Sequence, residues 1–220
     1  MPSKVKKKIW GLISYKPRWG IAWRGWMLIF FAIALSAILA IFKLQPFLAY
    51  SQPIAADVLI VEGWLGDDAL KGAIAEFNSR NYQLLVTTGI PLGRGEYLTE
   101  YKDFAHLSQA SLINIGFDAD KVVAVTTPDV ERDRTLTSAV AVKEWLIKNR
   151  EDIKAINVYS ADVHSRRSYM LFRQVFEPEI KVGTISHPPL DYDARWWWAS
   201  SQGVRKVLSE SIGYVYALFL

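Results

Sequence analysis

Eighteen consecutive residues without a charge, Gly25 to Phe42 (GWMLIFFAIALSAILAIF), constrain this chain more than any other feature of its sequence. A helix of that length rises about 27 Å, close to the thickness of a bilayer's hydrocarbon core. The segment reads as one N-terminal transmembrane helix. Lys4, Lys6, Lys7, Lys8, Lys16, Arg18 and Arg24 precede it, and only Lys43 follows directly. The positive-inside bias therefore predicts a single-pass inner (plasma) membrane protein, with a cytoplasmic N-terminus and an exported C-terminal part. Trp10, Trp19, Trp23 and Trp26 fit an aromatic belt on the cytoplasmic side. The competing reading is a cleaved signal peptide. Its basic region would be unusually long, its apolar region exceeds the usual length, and no small-x-small site follows closely. A buried helix of a soluble protein is a third reading, weakened because no charge interrupts the run.

The formal charge of +4 invites a nucleic-acid reading, but seven of the 26 basic residues precede the apolar run, and no acidic residue comes before Asp57. From Lys43 onward 19 basic side chains face 22 acidic ones. The basic character thus belongs to the tail, and the remainder has no electrostatic footprint for nucleic acid. With no cysteine, a disulfide framework and a thiolate metal site are both excluded.

The sequence divides into a basic tail (1–24), the transmembrane helix (25–43), a connector with Pro46 and Pro53 (44–55) and one folded domain (56–220). Within the domain, short apolar runs alternate with helical patterns. Ala56 to Val61, Gln83 to Thr88, Val122 to Thr126, Ile156 to Ser160 and Val182 to Ile185 read as strands. Helices are expected from Asp67 to about Arg80, near Tyr97 to Ile115, from Leu136 to Lys148 and from about Arg166 to Phe176. Such alternation predicts an α/β fold, a Rossmann-like, doubly wound, mostly parallel five-stranded sheet. In the last segment, Val204, Val207, Leu208, Ile212 and Val215 recur at helical spacing and predict a helix packed on the core.

Ligands of such sheets bind beyond the carboxyl ends of the strands, where loops diverge and helix N-termini point inward. Here strand one delivers Glu62, Gly63 and Trp64, and strand two delivers Gly89 and the loop Gly93-Arg94-Gly95-Glu96. Strand three leads to Arg134 and Thr135, strand four to Ser160, His164, Arg166 and Arg167, and strand five to His187. A histidine and two arginines at a helix start can hold an anion and relay a proton. Equally, Asp162 or Ser165 can cap that helix while His164 and the arginines stay solvated. Glu62 ends an apolar strand, which makes it a general-base candidate with a pKa raised by burial, or else a loop carboxylate bonded to backbone N–H groups. Glu62 and His164 are the expected catalytic pair. Gly63, Trp64, Gly89, Arg134, Thr135, Ser160, Arg166 and Arg167 are the expected ligand contacts. A metal held by Glu62, His164 and His187 is a weaker alternative. Gly63-Trp-Leu-Gly66 matches neither the dinucleotide fingerprint nor a P-loop, so no motif indicates a cofactor.

The order of these segments resembles the YdcF-like family, a bacterial domain of unknown function whose members include SanA and ElyC. The resemblance covers about Ala56 to Leu220 and is carried by ADVLIVEGW, LLVTTG, Arg134-Thr135 and VYSADVHSRRSYMLFRQVF. It places His164 and Arg167 on the family's His and Arg, and Trp198 and Glu210 on its terminal Trp and Glu. It implies a Rossmann-like domain on an inner-membrane anchor, with a role in envelope integrity or cell-wall precursor metabolism. Two function classes follow. One is action on, or binding of, a phosphate-bearing cell-wall or lipid-carrier intermediate. The other is non-catalytic: binding of a nucleotide-like ligand of the S-adenosylmethionine type, or service as an envelope interaction module.

Overall fold

The computed structural model describes residues 8–9, 13–15, 19–93, 99–150 and 152–220. They fall into two compact units, residues 1–44 and 45–220. In the first, Lys8–Ile9, Ile13–Tyr15 and Trp19–Ile21 form a short antiparallel ladder that the sequence pattern does not announce. Helix α1 (Trp23–Leu48) follows, long and apolar enough to cross a membrane, with none of its apolar window buried. It runs five residues beyond the expected end. Pro46 sits in its last turn, where a missing N–H removes a single helical bond.

The second unit is an α/β domain built on a five-stranded, all-parallel sheet. Its strands are β1 (Val58–Glu62), β2 (Leu84–Gly89), β3 (Val122–Thr126), β4 (Ala155–Ala161) and β5 (Lys181–His187), in spatial order β3-β2-β1-β4-β5. The helices between them are α2 (Asp67–Ser79), α3 (Phe104–Asn114), α4 (Arg134–Asn149) and α5 (Ser165–Phe176), and α6 (Ser201–Ala217) closes the chain. The continuous apolar character of the central strands follows from burial on both faces. Val58 and Ile60 join a core with Val142, Leu146, Phe172 and Phe176 of α4 and α5. Leu59 and Val61 point the other way, to Leu70, Ala73 and Phe77 of α2 and Leu112 of α3. Because β1 is followed on one side by β2 and on the other by β4, the crossovers diverge at the carboxyl ends of β1 and β4. That is the crevice in which doubly wound sheets hold ligands.

Two helices differ from expectation. Helix α3 begins at Phe104 instead of near Tyr97, because Asp103 caps it: its carboxylate accepts the His106 backbone N–H at 2.7 Å. Arg94, Gly95, Glu96 and the expected helix start at Tyr97 lie outside the described residues. The C-terminal helix is also not the core-packing element that its spacing suggests. Of Val204, Val207, Leu208, Ile212 and Val215, only Val207 is buried. The packed stripe of α6 instead runs through Gly203, Val207, Glu210, Tyr214 and Ala217. Small residues allow that close approach: a Cβ on Gly203 would collide with the Trp197 carbonyl.

The connector runs beside β5 in the opposite sense. Gln52 bridges Thr184, Ile54 bonds Asn157, and Asp57 Oδ2 accepts the Lys154 and Ala155 N–H groups at 2.9 and 3.1 Å. This path leads from the carboxyl edge of the sheet, where the last turn of α1 sits, down to the amino edge where β1 starts.

Candidate functional site

A cavity of about 720 Å³ opens at the carboxyl edge of the sheet. Glu62 at the end of β1 and Trp64 after it, Thr88 and Gly89 of β2, and Arg134, Thr135 and Ser138 of α4 line it, as do His164 and Arg167 on the far side. The topology thus brings Glu62, His164 and Arg167 to one cavity across more than a hundred residues. Tyr216, Ala217 and Leu220 close it from the C-terminal segment.

Glu62 is 3% exposed, and its neighbours account for a charge at that depth. The Ser168 hydroxyl donates to Oε1 at 2.9 Å, and the Ser160 hydroxyl donates to Oε2. His164 Nε2 stands 3.4 Å from Oε1, within ion-pair distance but off the line of a hydrogen bond. Burial alone would push the Glu62 carboxyl up; the His164 charge and the two hydroxyls outweigh it and hold it below the ordinary range. The sequence-based expectation of a raised pKa is thereby reversed. An ionised carboxylate engaged on both oxygens is a poor general base, and its effect falls on His164.

His164 sits between two carboxylates. Its Nδ1 lies 3.1 Å from Glu210 Oε1, and Arg167 binds the same carboxylate through Nε at 3.0 Å and Nη2 at 3.2 Å. Burial disfavours an imidazolium, but Glu62 and Glu210 together push the His164 pKa up to about 9. His164 is therefore a cation at neutral pH. Arg167 Nη2 and His164 Nδ1 stand 3.0 Å apart as two donors sharing Glu210 Oε1. Burial would raise Glu210, but His164 and Arg167 bring it down to about 2. The Trp64 ring stands edge-on to the imidazole, with centroids 5.0 Å apart. Among the described residues, His164 Nε2 is the one buried side-chain nitrogen or oxygen without a hydrogen-bond partner. The His164 ring lines the cavity, while Nε2 itself is buried facing Glu62 Oε1.

On the opposite wall, α4 starts without a side-chain cap. Asp133 occupies the N-cap position in a left-handed conformation (φ 55°) and its carboxylate makes no capping bond. Orphan N–H groups and the helix dipole make such a start receptive to anions, and the Arg134 side chain lies beside it. Glu131 and Asp133 also reach this wall, so the positive character is local to α4 and does not extend over the cavity.

The other expected contacts divide. Ser160 acts behind the wall, through Glu62. Gly63 serves packing: a Cβ there would come within 2.5 Å of the Phe104 carbonyl oxygen at the start of α3. Gly89 does line the cavity, and it too admits Phe104 closely. Arg166 does not reach the site. Its guanidinium covers the Phe47 and Tyr50 rings at 4.0 and 4.3 Å and its Nε donates to the Phe47 carbonyl. Nor do Glu62, His164 and His187 assemble as a metal set, since His187 is engaged by Tyr159 at 2.8 Å and Asp68 at 2.9 Å. The capping alternative for the strand-four segment fails as well: Asp162 (φ 40°) and Ser165 make no side-chain cap bond, and both are buried.

Reasoning from strand ends alone misses Ser168 and Glu210. Ser168 lies one helical turn past His164, so its i+4 spacing is a usable signal. Comparison with family models and with curated proteins returns no match for the chain.

Proposed function

We propose that this chain is a membrane-anchored, extracytoplasmic YdcF-like domain that binds, and acts on, a phosphate-bearing cell-wall or lipid-carrier intermediate of the bacterial envelope. The observation that carries the reading is the pairing within one cavity of an uncapped helix start flanked by Arg134 with the His164 imidazolium held between Glu62 and Glu210. The α4 terminus and Arg134 hold the phosphate, and His164 supplies a proton to a phosphoryl oxygen. Glu62 and Glu210 keep that proton in place. Arg167 orients Glu210.

Retention of the apolar helix is supported by its last turn. Gln45 and Leu48 are 6% and 1% exposed, and Gln45 Nε2 donates to Asp162 Oδ1 at 2.9 Å. Processing a few residues after Phe42 would strip these groups from the domain. The basic residues before Gly25 favour a cytoplasmic N-terminus, so a reporter fused after Leu220 is expected to be active only outside the cytoplasm.

Native mass spectrometry of the full chain extracted from its membranes tests the assignment. A co-purifying phosphate-bearing lipid or cell-wall precursor is expected, retained by the wild type and lost in Arg134→Ala. Identical profiles for both proteins would refute it. A second reading, a non-catalytic domain for a nucleotide-like ligand, is favoured by the strand order, which is that of dinucleotide-binding sheets. Capture of S-adenosylmethionine, unchanged in His164→Gln, would decide for it.

A further inference from the structure

The face of α6 opposite its packed stripe is apolar and bare. Leu208, Ile212 and Val215, with Phe219 just past the helix end, recur at helical spacing and are 48%, 72%, 54% and 85% exposed. The inward stripe of the same helix carries Glu210 to His164, so α6 lies over the carboxyl edge of the sheet with its apolar face directed away from the site. A contiguous apolar surface of this kind on a folded domain marks a partner or a membrane.

The chain itself indicates which. Phe47, in the last turn of α1, meets Tyr214 of α6 edge-on with ring centroids 5.5 Å apart. Gln45 bonds Asp162, two residues before His164. Phe42, the last residue of the uncharged run, precedes Gln45 by three residues. Chain length alone, at most 3.6 Å per residue, keeps it within about 11 Å of Gln45. Within the domain, α6 thus lies against Phe47, five residues along the chain from the last residue of the apolar run.

We infer that α6 is an interfacial helix that rests its Leu208, Ile212, Val215 and Phe219 face on the bilayer holding α1, and so keeps the mouth of the catalytic cavity at the lipid surface. Tyr216 and Leu220 belong to the same segment and line that cavity. An amphiphile then presents its polar head to His164 and Arg134 while its tail stays in the membrane. This deepens the proposed function and rests on α1 being a retained anchor.

The absence of native cysteine makes the test direct. The full chain, bearing one introduced cysteine at a time (Ile33→Cys, Ile212→Cys, Phe219→Cys or Lys148→Cys), is labelled with an environment-sensitive fluorophore. It is then reconstituted in phosphatidylglycerol–phosphatidylethanolamine vesicles containing acyl-chain nitroxide lipid. All four positions are exposed, so the fold is not at stake. Quenching at Ile212 and Phe219 at least half as strong as at Ile33, with none at Lys148, is expected. Quenching at Ile33 alone overturns the interfacial helix and leaves the anchor standing. No quenching at Ile33 overturns the anchor reading and this inference together.

Discussion

Replacing His164 by glutamine removes the cation between Glu62 and Glu210, and the pH dependence of stability reports the loss. The ordinary histidine value is about 6.5, and in the folded domain that of His164 is about 9. The gap corresponds to about 3 kcal/mol of stabilisation, at 1.36 kcal/mol per tenfold change in proton affinity. Since the folded value lies above the unfolded one, the contribution is complete below about pH 6.5 and vanishes as pH rises through about 9. Glu210 works in the opposite direction: its value of about 2 means stabilisation present at neutral pH and lost as pH falls through that value. The two contributions describe one His164–Glu210 contact and are not summed. Two assays check this on the full chain in micelles. In imidazole NMR, the resonance missing from His164→Gln is expected to titrate near 9 in the wild type. In urea unfolding, the wild type is expected to lose on the order of 3 kcal/mol across that window, while His164→Gln shows a flat profile. A His164 resonance titrating at the ordinary value, or equal wild-type stability at both ends of the window, would refute the double-carboxylate clamp.

Ser168→Ala deletes a hydroxyl that Glu62 needs at 3% exposure, and about 1.5–3 kcal/mol is expected to disappear in urea unfolding. Leu48→Ala, at a residue 1% exposed, is expected to cost the domain about 2–5 kcal/mol, whereas Leu39→Ala, 53% exposed, leaves domain unfolding unchanged. Pyrophosphate binding, followed by calorimetry, is expected to weaken about tenfold in Arg134→Ala, the loss of one charge-assisted hydrogen bond. Arg166→Ala is expected to bind as the wild type does, because that guanidinium is occupied by Phe47 and Tyr50.

The fold was legible where burial is two-sided. Residues 58–61 can form nothing but a sheet centre once helical patterns flank them, and β2 and β4 follow the same logic, whereas β3 is a partly buried edge strand. Parallel topology then placed Glu62, His164 and Arg167 at one edge, because strand ends are fixed by the sheet. Side-chain partners were less legible. Arg166 and Arg167 are adjacent and chemically alike, yet one stacks on aromatic rings and the other binds Glu210, since successive helical residues point about 100° apart. The pKa of Glu62 could not be read from burial alone, because its sign depends on Ser168 and His164, which reach it only in three dimensions. Periodicity in α6 was real but ambiguous: two apolar stripes share the helix, and only contact with the rest of the domain tells which one is buried.

The last turn of α1 and the acid at the site are coupled through Asp162. This residue adopts φ 40°, a left-handed conformation that costs energy for a side chain other than glycine, and it is 3% exposed. Its carboxylate accepts from Gln45 Nε2 at 2.9 Å and from the Tyr192 hydroxyl, and its carbonyl accepts from the Ser186 hydroxyl at 3.0 Å. The turn that follows sets His164 between Glu62 and Glu210, so Gln45, in the last turn of α1, is a positioning residue for the imidazole. Gln45→Ala leaves Oδ1 of a buried carboxyl without its donor, a cost of about 1–3 kcal/mol that the strained turn can relieve by relaxing. The imidazole then moves off its two carboxylates, and its pKa is expected to fall from about 9 toward the ordinary value. Gln52→Ala provides the control, because Gln52 contacts β5 through its backbone and its change spares the Asp162 turn. If His164 titrates identically in Gln45→Ala, Gln52→Ala and the wild type, the end of α1 only tethers the domain, and the site's acidity is set by the domain alone.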